Sequence, residues 1–266
     1  MPSRFLLLAV LASGLAVGAD TNPPREAMVY SGASIVNAAD NQPGPLAPNT
    51  IATIYGTGMA NGTQALSGSD IRGGFLPTLL PGTGVRVIVG GIAAGLYYVS
   101  PTQINFLVPS ILIPGPSDVQ VALDAKGGPD VKIQIAASAP AFFQLAAGSA
   151  IATHPDGSVV TVAKPAKPGD VLLLYTTGLG QVAPPLADRE IPAVALRIAQ
   201  FADLKLTIDG VPLAQDQVLY AGVSPGFGGL YQINLRLPDS TSPDPEIRMT
   251  LAGQTSVSGI RIPVQP

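Results

Sequence analysis

Cysteine and tryptophan are absent from the 266 residues, and His154 is the only histidine. Without a thiol the chain can form no disulfide, no thiolate metal site, no cysteine nucleophile and no lipoprotein anchor. A single histidine excludes a histidine-rich metal cluster. Charge is also sparse: charged residues make up 12% of the sequence, the formal net charge is -3, and no Lys/Arg cluster stands out. The basic surface that nucleic acid or an anionic membrane requires is therefore missing.

What is abundant is apolar and turn-forming. Hydrophobic residues account for 47% of the chain, alongside 30 glycines and 27 prolines. Such a balance describes many short buried strands broken by turns, with long helices disfavoured.

Arg4 precedes the apolar run from Phe5 to Val17, followed by Val17-Gly18-Ala19. A charged start, a short greasy centre and a small-residue exit predict a secretory signal over residues 1–19, too short to span a bilayer comfortably, with an uncleaved anchor as the alternative. The mature chain is then expected to start near Asp20 and to be secreted, extracellular or periplasmic, and off the membrane after cleavage. Disulfides form in those compartments, so a cysteine-free chain there depends on its apolar cores.

The most informative feature is an internal repeat. Pro48-Asn49-Thr50-Ile51-Ala52-Thr53-Ile54-Tyr55-Gly56-Thr57-Gly58 aligns with Pro168-Gly169-Asp170-Val171-Leu172-Leu173-Leu174-Tyr175-Thr176-Thr177-Gly178. Val85 to Gly91 aligns with Leu204 to Gly210, Tyr98-Val99-Ser100-Pro101 with Tyr220 and Val223-Ser224-Pro225, and Gln103 to Pro109 with Gln232 to Pro238. Alternation predicts Ile104, Phe106 and Val108 on the core side, with Gln103, Asn105 and Leu107 opposite. In the second copy Ile233, Leu235 and Leu237 face inward and Gln232, Asn234 and Arg236 outward.

Each copy closes with further strand-like runs, Val119 to Leu123 and Val131 to Ala136, then Ile247 to Leu251 and Gly259 to Val264. About seven short strands per unit of roughly 120 residues predict an all-β chain of two tandem immunoglobulin-like antiparallel sandwiches, 27–146 and 147–266. The stretch Ile191 to Ala202 is the one place open to a short helix, although its amphipathic pattern is too weak to require one. A short junction favours a fixed contact between the two modules.

The succession VNAAD, PGPLAPNTIATIYGTGMA, VRVIVGGIAAGLYYVSPTQINFLVP, KPGDVLLLYTTGLG and YAGVSPGFGGLYQINLRLP resembles the C-terminal domain family abundant in large secreted proteins of acidobacteria. The resemblance covers nearly all of the mature chain. It implies modules of the IPT/TIG type of immunoglobulin-like fold and an accessory or binding role on surface proteins, with no particular ligand.

Several motifs invite catalytic readings that their chemistry opposes. Gly222-Val223-Ser224-Pro225-Gly226 fits a G-x-S-x-G nucleophile elbow, but that elbow's oxyanion hole needs the N–H of the residue after the serine, and Pro225 has none. His154 also precedes Ser224, whereas that fold places it last. Gly56-Thr57-Gly58 with Gly62 suggests a phosphate loop, yet no amphipathic helix follows. His154-Pro155-Asp156-Gly157 reads as a hairpin turn. Asp239, Asp244 and Glu246 lie close enough to raise calcium, but Pro243 and Pro245 interrupt them and the EF-hand pattern is absent.

No catalytic, cofactor or metal residues are assigned on this reading. A ligand surface, if present, falls to Tyr97, Tyr98, Tyr220 and Tyr231 with the repeated amides Gln103, Asn105, Gln232 and Asn234, joined by Phe227. The duplicated amides are expected chiefly to hydrogen-bond within each module, and the aromatics chiefly to fill cores. The sequence points to a non-catalytic exported structural or protein-interaction module. A carbohydrate-binding or adhesion module is the alternative, with a hydrolase using Ser224 as a remote third.

Overall fold

A computed structural model describes residues 27–146 and 148–265, so the expected signal segment, residues 1–19, lies outside the described residues. Alternating apolar residues make each long strand two-faced, and two sheets close over the apolar faces in each half of the chain. In the first half, one sheet has the order Ile35–Asn37, Ile51–Tyr55, Gln103–Leu107, Gly95–Val99, Gln64–Ala65. The sheet facing it has the order Val131–Ile135, Gly115–Leu123, Val85–Val89, Ile92–Ala93. Every pairing between these strands is antiparallel. Ile54, Ile104 and Phe106 of one sheet meet Val87, Val119 and Val121 of the other in one buried cluster.

The second half repeats this plan. Val171–Thr177, Tyr231–Arg236 and Val218–Val223 are neighbours in one sheet, and Lys205–Ile208 pairs with Ile247–Leu251 in the other. Leu172, Leu174, Ile233 and Leu235 pack there against Leu206, Ile247 and Met249. The fold is thus all-β, built from immunoglobulin-like sandwiches.

The aligned strands occupy equivalent places, down to a shared irregularity. The pairing register slips between Leu96 and Tyr98, leaving Tyr97 as the extra residue, and slips again between Val218 and Tyr220. A bulge at the same position bends both strands and turns extra side chains to one face.

Two expectations need correction and one open reading is settled. No helix forms over Ile191 to Ala202; Leu196–Ile198 is a strand and a single 3-10 turn follows at Phe201–Asp203, because the stretch lacks the period that would bury one helical face. Gly259 to Val264 does not form a regular strand. It is held by isolated bridges, Ser149 to Arg261, Glu246 to Arg261 and Ala166 to Val264, with Gly259 and Pro263 interrupting a continuous ladder. Finally, Ser100-Pro101 and Ser224-Pro225 sit in the same hairpin but two residues out of register. Gly222 and Val223 add two further pairs, with Gln232 and Tyr231, before the second turn begins.

The chain crosses between the halves ahead of Ala146. Ala141–Phe142 already pairs with Thr176 and Thr177, and Phe142 belongs to the second core. The connecting backbone runs directly over the turn Gly178-Leu179-Gly180. The Ala139 N–H donates to Gly178 O at 2.7 Å, and the Asn37 side-chain amide donates to Ala139 O at 3.0 Å.

A Cβ on Gly178 would stand 1.9 Å from Ala139 O, and one on Gly180 2.3 Å from Ala137 O, both at positive φ. Replacing Gly178 by Ala is expected to lower the unfolding free energy by roughly 2–4 kcal/mol, combining left-handed strain with a displaced backbone. Gly226→Ala, also at positive φ but with nothing within 4 Å of the added carbon, should cost no more than about 2 kcal/mol. Denaturant titration of both variants compares the two.

Candidate functional site

The outward faces of the sheets that hold Gln103–Leu107 and Tyr231–Arg236 carry most of the polar candidates. Cross-strand pairing sets Gln103 beside Tyr55, and Asn105 between Thr53 and Tyr98. The second copy repeats the pattern, with Gln232 beside Tyr175 and Asn234 between Leu173 and Tyr220. Each face therefore holds two tyrosines around a Gln/Asn pair spaced two residues apart on one strand.

The amides are oriented identically in both copies. Gln103 Nε2 donates to Asn105 Oδ1 at 2.9 Å, and Gln232 Nε2 donates to Asn234 Oδ1 at 2.6 Å. Thr53 Oγ1 adds a second donor to Asn105 Oδ1 at 3.1 Å. The amides do bond within their modules, as expected, but only half of each is used. Among the described residues, Asn105 Nδ2, Asn234 Nδ2, Gln103 Oε1 and Gln232 Oε1 have no hydrogen-bond partner in the protein, and none is a buried unsatisfied atom. Each face thus leaves one whole amide NH2 group and one whole amide oxygen to water.

Tyr55 and Tyr175 were absent from the sequence-based candidates. Their signal was present, since the repeat alignment sets one opposite the other at equivalent strand ends. Tyr55 is 40% exposed, and its hydroxyl donates to Asn41 Oδ1 at 3.1 Å. Tyr220 is half-buried, its hydroxyl within reach of the carbonyls of Val223 (2.8 Å) and Leu196 (3.1 Å). Its ring lies along Gly222, where a Cβ would come within 2.4 Å of the phenol oxygen. Burial pushes its phenol above the ordinary range, with Arg197 opposing.

The other two tyrosines lie elsewhere. Tyr97, the bulge residue, reaches across the module boundary and donates to Gly228 O. Tyr231 is fully buried in the second core and donates to Gly180 O. Leu107, expected on the solvated face, is buried because the loop between Val223 and Tyr231 of the second module covers it. Gly229 approaches it so closely that a Cβ would stand 2.4 Å from Leu107 Cδ1. Phe227, on the same loop, is 60% exposed rather than core-filling. It rims a cleft of about 320 Å³ with Leu66, Ile71, Leu76, Tyr97 and Ile191.

The catalytic readings find no support in the geometry. Ser224 opens a turn, its N–H donating to Leu230 O at 2.8 Å, and no hydrogen bond joins it to His154 among the described residues. His154 flanks the expected hairpin, its N–H donating to Ser158 O at 2.9 Å. Of the acidic loop, Glu246 is engaged locally: its carboxylate accepts from the Gly259 N–H and its own N–H donates to Asp209, which also accepts from Ser242. Among the described residues no group of three metal-ligating side chains converges.

No protein-family model matches the chain, and no curated protein matches it. Among solved structures, it is similar to SGBP-B of the Bacteroides ovatus mixed-linkage glucan utilization locus, solved with a mixed-linkage heptasaccharide. Identity there is 12% over 83% of this chain and 42% of that one, with a TM-score of 0.33. Domains 5–6 of the S-layer protein SbsC match at 10% identity over 89% of this chain and 98% of that one, TM-score 0.27. The Escherichia coli adhesin FdeC matches at 11% over 91% and 66%, TM-score 0.24. The chain therefore spans less than half of the glucan-locus protein. Likenesses this remote carry no argument about ligand or activity. No helix among the described residues is long and apolar enough to cross a membrane.

Burial raises the Tyr231 phenol above its ordinary range, with the neighbouring Asn49 opposing, and burial raises Tyr97 likewise. An unfolded tyrosine ionises near pH 10, so the stabilisation from these neutral phenols is complete below pH 10 and is lost as pH climbs above it. Urea midpoints should fall steeply above pH 10. Tyr231→Phe should cost about 1 kcal/mol at neutral pH through the lost hydrogen bond and flatten that alkaline decline.

Proposed function

We propose that the chain is an exported, non-catalytic binding module that engages an extracellular partner through the outward tyrosine–amide faces of its two sandwiches. The observation that carries this reading is the duplicated set, Tyr55/Tyr98/Gln103/Asn105 and Tyr175/Tyr220/Gln232/Asn234, with the same amide orientation and the same unused donor and acceptor in each copy. A solvated sheet face needs no such arrangement for folding, since serine, threonine or lysine serve there equally well. The non-catalytic part is supported by the isolation of Ser224 from His154 and by Pro225, which lacks the N–H that an elbow serine requires.

A protein partner seated at the module junction is a second reading, favoured by the exposure of Phe227 beside its apolar cleft. Exposed aromatics beside a pocket are frequent anchors of protein interfaces.

Co-purification from the native envelope tests both. Combining Tyr98→Ala, Gln103→Ala, Tyr175→Ala and Gln232→Ala should abolish recovery of the partner while leaving the thermal melt within a few degrees of the wild type. Phe227→Ala should leave recovery unchanged. Loss with Phe227→Ala and retention in the four-residue variant would move the site to the junction.

A further inference from the structure

We infer that each tyrosine–amide face is a separate binding site for an uncharged polysaccharide, a reading that rests on the proposed use of these faces.

The side-chain chemistry leads there. Hydrogen bonding from Gln to Asn fixes both amides, so the remaining Asn Nδ2 donor and Gln Oε1 acceptor lie on either side of that bond without a rotamer search. Sugar hydroxyls both donate and accept, and neighbouring hydroxyls on a pyranose present both functions together, so a fixed donor–acceptor pair suits them. The flanking rings supply flat apolar surface for the C–H faces of a sugar, and Tyr55 is 40% exposed.

Charge decides the polymer class. The strands Ile51–Tyr55, Gly95–Val99 and Gln103–Leu107, which build the first face, contain no charged residue. In the second, Val171–Thr177 and Val218–Val223 are uncharged, and Arg236 at the far end of its strand donates to Gly169 O at 3.1 Å. Arg197, on the adjoining strand, is engaged with Leu219 O at 3.2 Å and with the Phe201 ring at 4.6 Å. An acidic polymer calls for cations poised to pair with it, and the feature shared by the two faces is neutral.

Backbone geometry argues against a peptide added as a strand. The amide-bearing strands are interior to their sheets, bonded on both sides, whereas strand addition needs an open edge.

Titration calorimetry and affinity electrophoresis of the purified chain against mixed-linkage β-glucan, mannan, starch and, as the charged comparison, polygalacturonate test the inference. At least one neutral polymer should bind, its oligosaccharides with a stoichiometry of two per chain, and polygalacturonate should not. Asn105→Asp keeps the Oδ1 that accepts from Gln103 and Thr53 but removes the free donor, and Asn234→Asp does so in the second face. Either substitution should reduce the stoichiometry to one, and both together should weaken binding at least tenfold.

Where the double variant melts early, Tyr98→Ala with Tyr175→Ala provides the same readout from half-buried positions. Absence of binding to every neutral polymer, preference for polygalacturonate, or undiminished binding by a folded double variant would overturn the inference. Should the glycans fail while the four-residue variant still loses its envelope partner, the polysaccharide assignment falls and the use of these faces stands.

Discussion

The backbone crossing at Ala137–Ala139 over the turn Gly178-Leu179-Gly180 sets how the two sandwiches meet, and most of what distinguishes one face from the other follows from it. Two main-chain segments can lie this close only where one carries no Cβ, and the two glycines meet that need, since an added Cβ would stand 1.9 and 2.3 Å from the carbonyl oxygens above. Beside the crossing, the buried Thr177 hydroxyl accepts from Ile51 N–H at 2.9 Å and donates to Gly229 O at 2.8 Å, joining both modules through one side chain. Asp188 accepts from Ser110 N–H at 2.9 Å and Arg189 donates to Leu76 O at 2.8 Å. A contact made through this many buried and half-buried polar groups resists hinging, because opening it breaks all of these bonds together.

That same contact trims the first face. With the crossing fixed, the loop 224–230 rises against the lower part of the sheet, covers Leu107 and receives the Tyr97 hydroxyl at Gly228. The exposed part of the face then runs from Tyr55 to Asn105, which is the part that the second module also presents. The residues lost to the junction are the ones that differ between copies: Leu107 is matched by Arg236, and Tyr97 by Leu219, both exposed in the second module.

Much of this was legible in the residues. Period-two alternation placed Ile104, Phe106, Ile233 and Leu235 in the cores, and the repeat named the equivalent strands, because side-chain direction in a strand is set by parity alone. Parity cannot say what lies beyond a face, however, so Leu107 looked solvated until the second module was in place. Bulges and hairpin length were equally hidden. The two extra pairs before Ser224 are set by which residues tolerate the turn, and the glycines at 226, 228 and 229 allow a longer loop than Thr102 does. Tyr55 and Tyr175 are aligned by the repeat but carry no sign of the amides on their own strands, since several strands separate each from Tyr98 or Tyr220 in the chain and each becomes a neighbour of the amides only through pairing.

The comparison of the copies separates structural from ligand-directed features by what each position is required to do. Asn37, which bonds across the junction to Ala139 O, is matched by strand register to His154, whose Nε2 has no partner. Asn49, at the same boundary with φ +61, is matched by Gly169. Junction positions therefore diverge as soon as the contact they serve exists in one copy alone. The cores agree because both sandwiches must exclude water. The tyrosine–amide set agrees as well, although it touches neither the core nor the junction, and its amide-to-amide bond leaves one NH2 group and one amide oxygen unused in each copy. Packing explains the agreement of the cores, and the junction explains the divergence of the ends. The surplus donor and acceptor, repeated in one orientation, have no role in either, and a partner from outside the chain is what would use them.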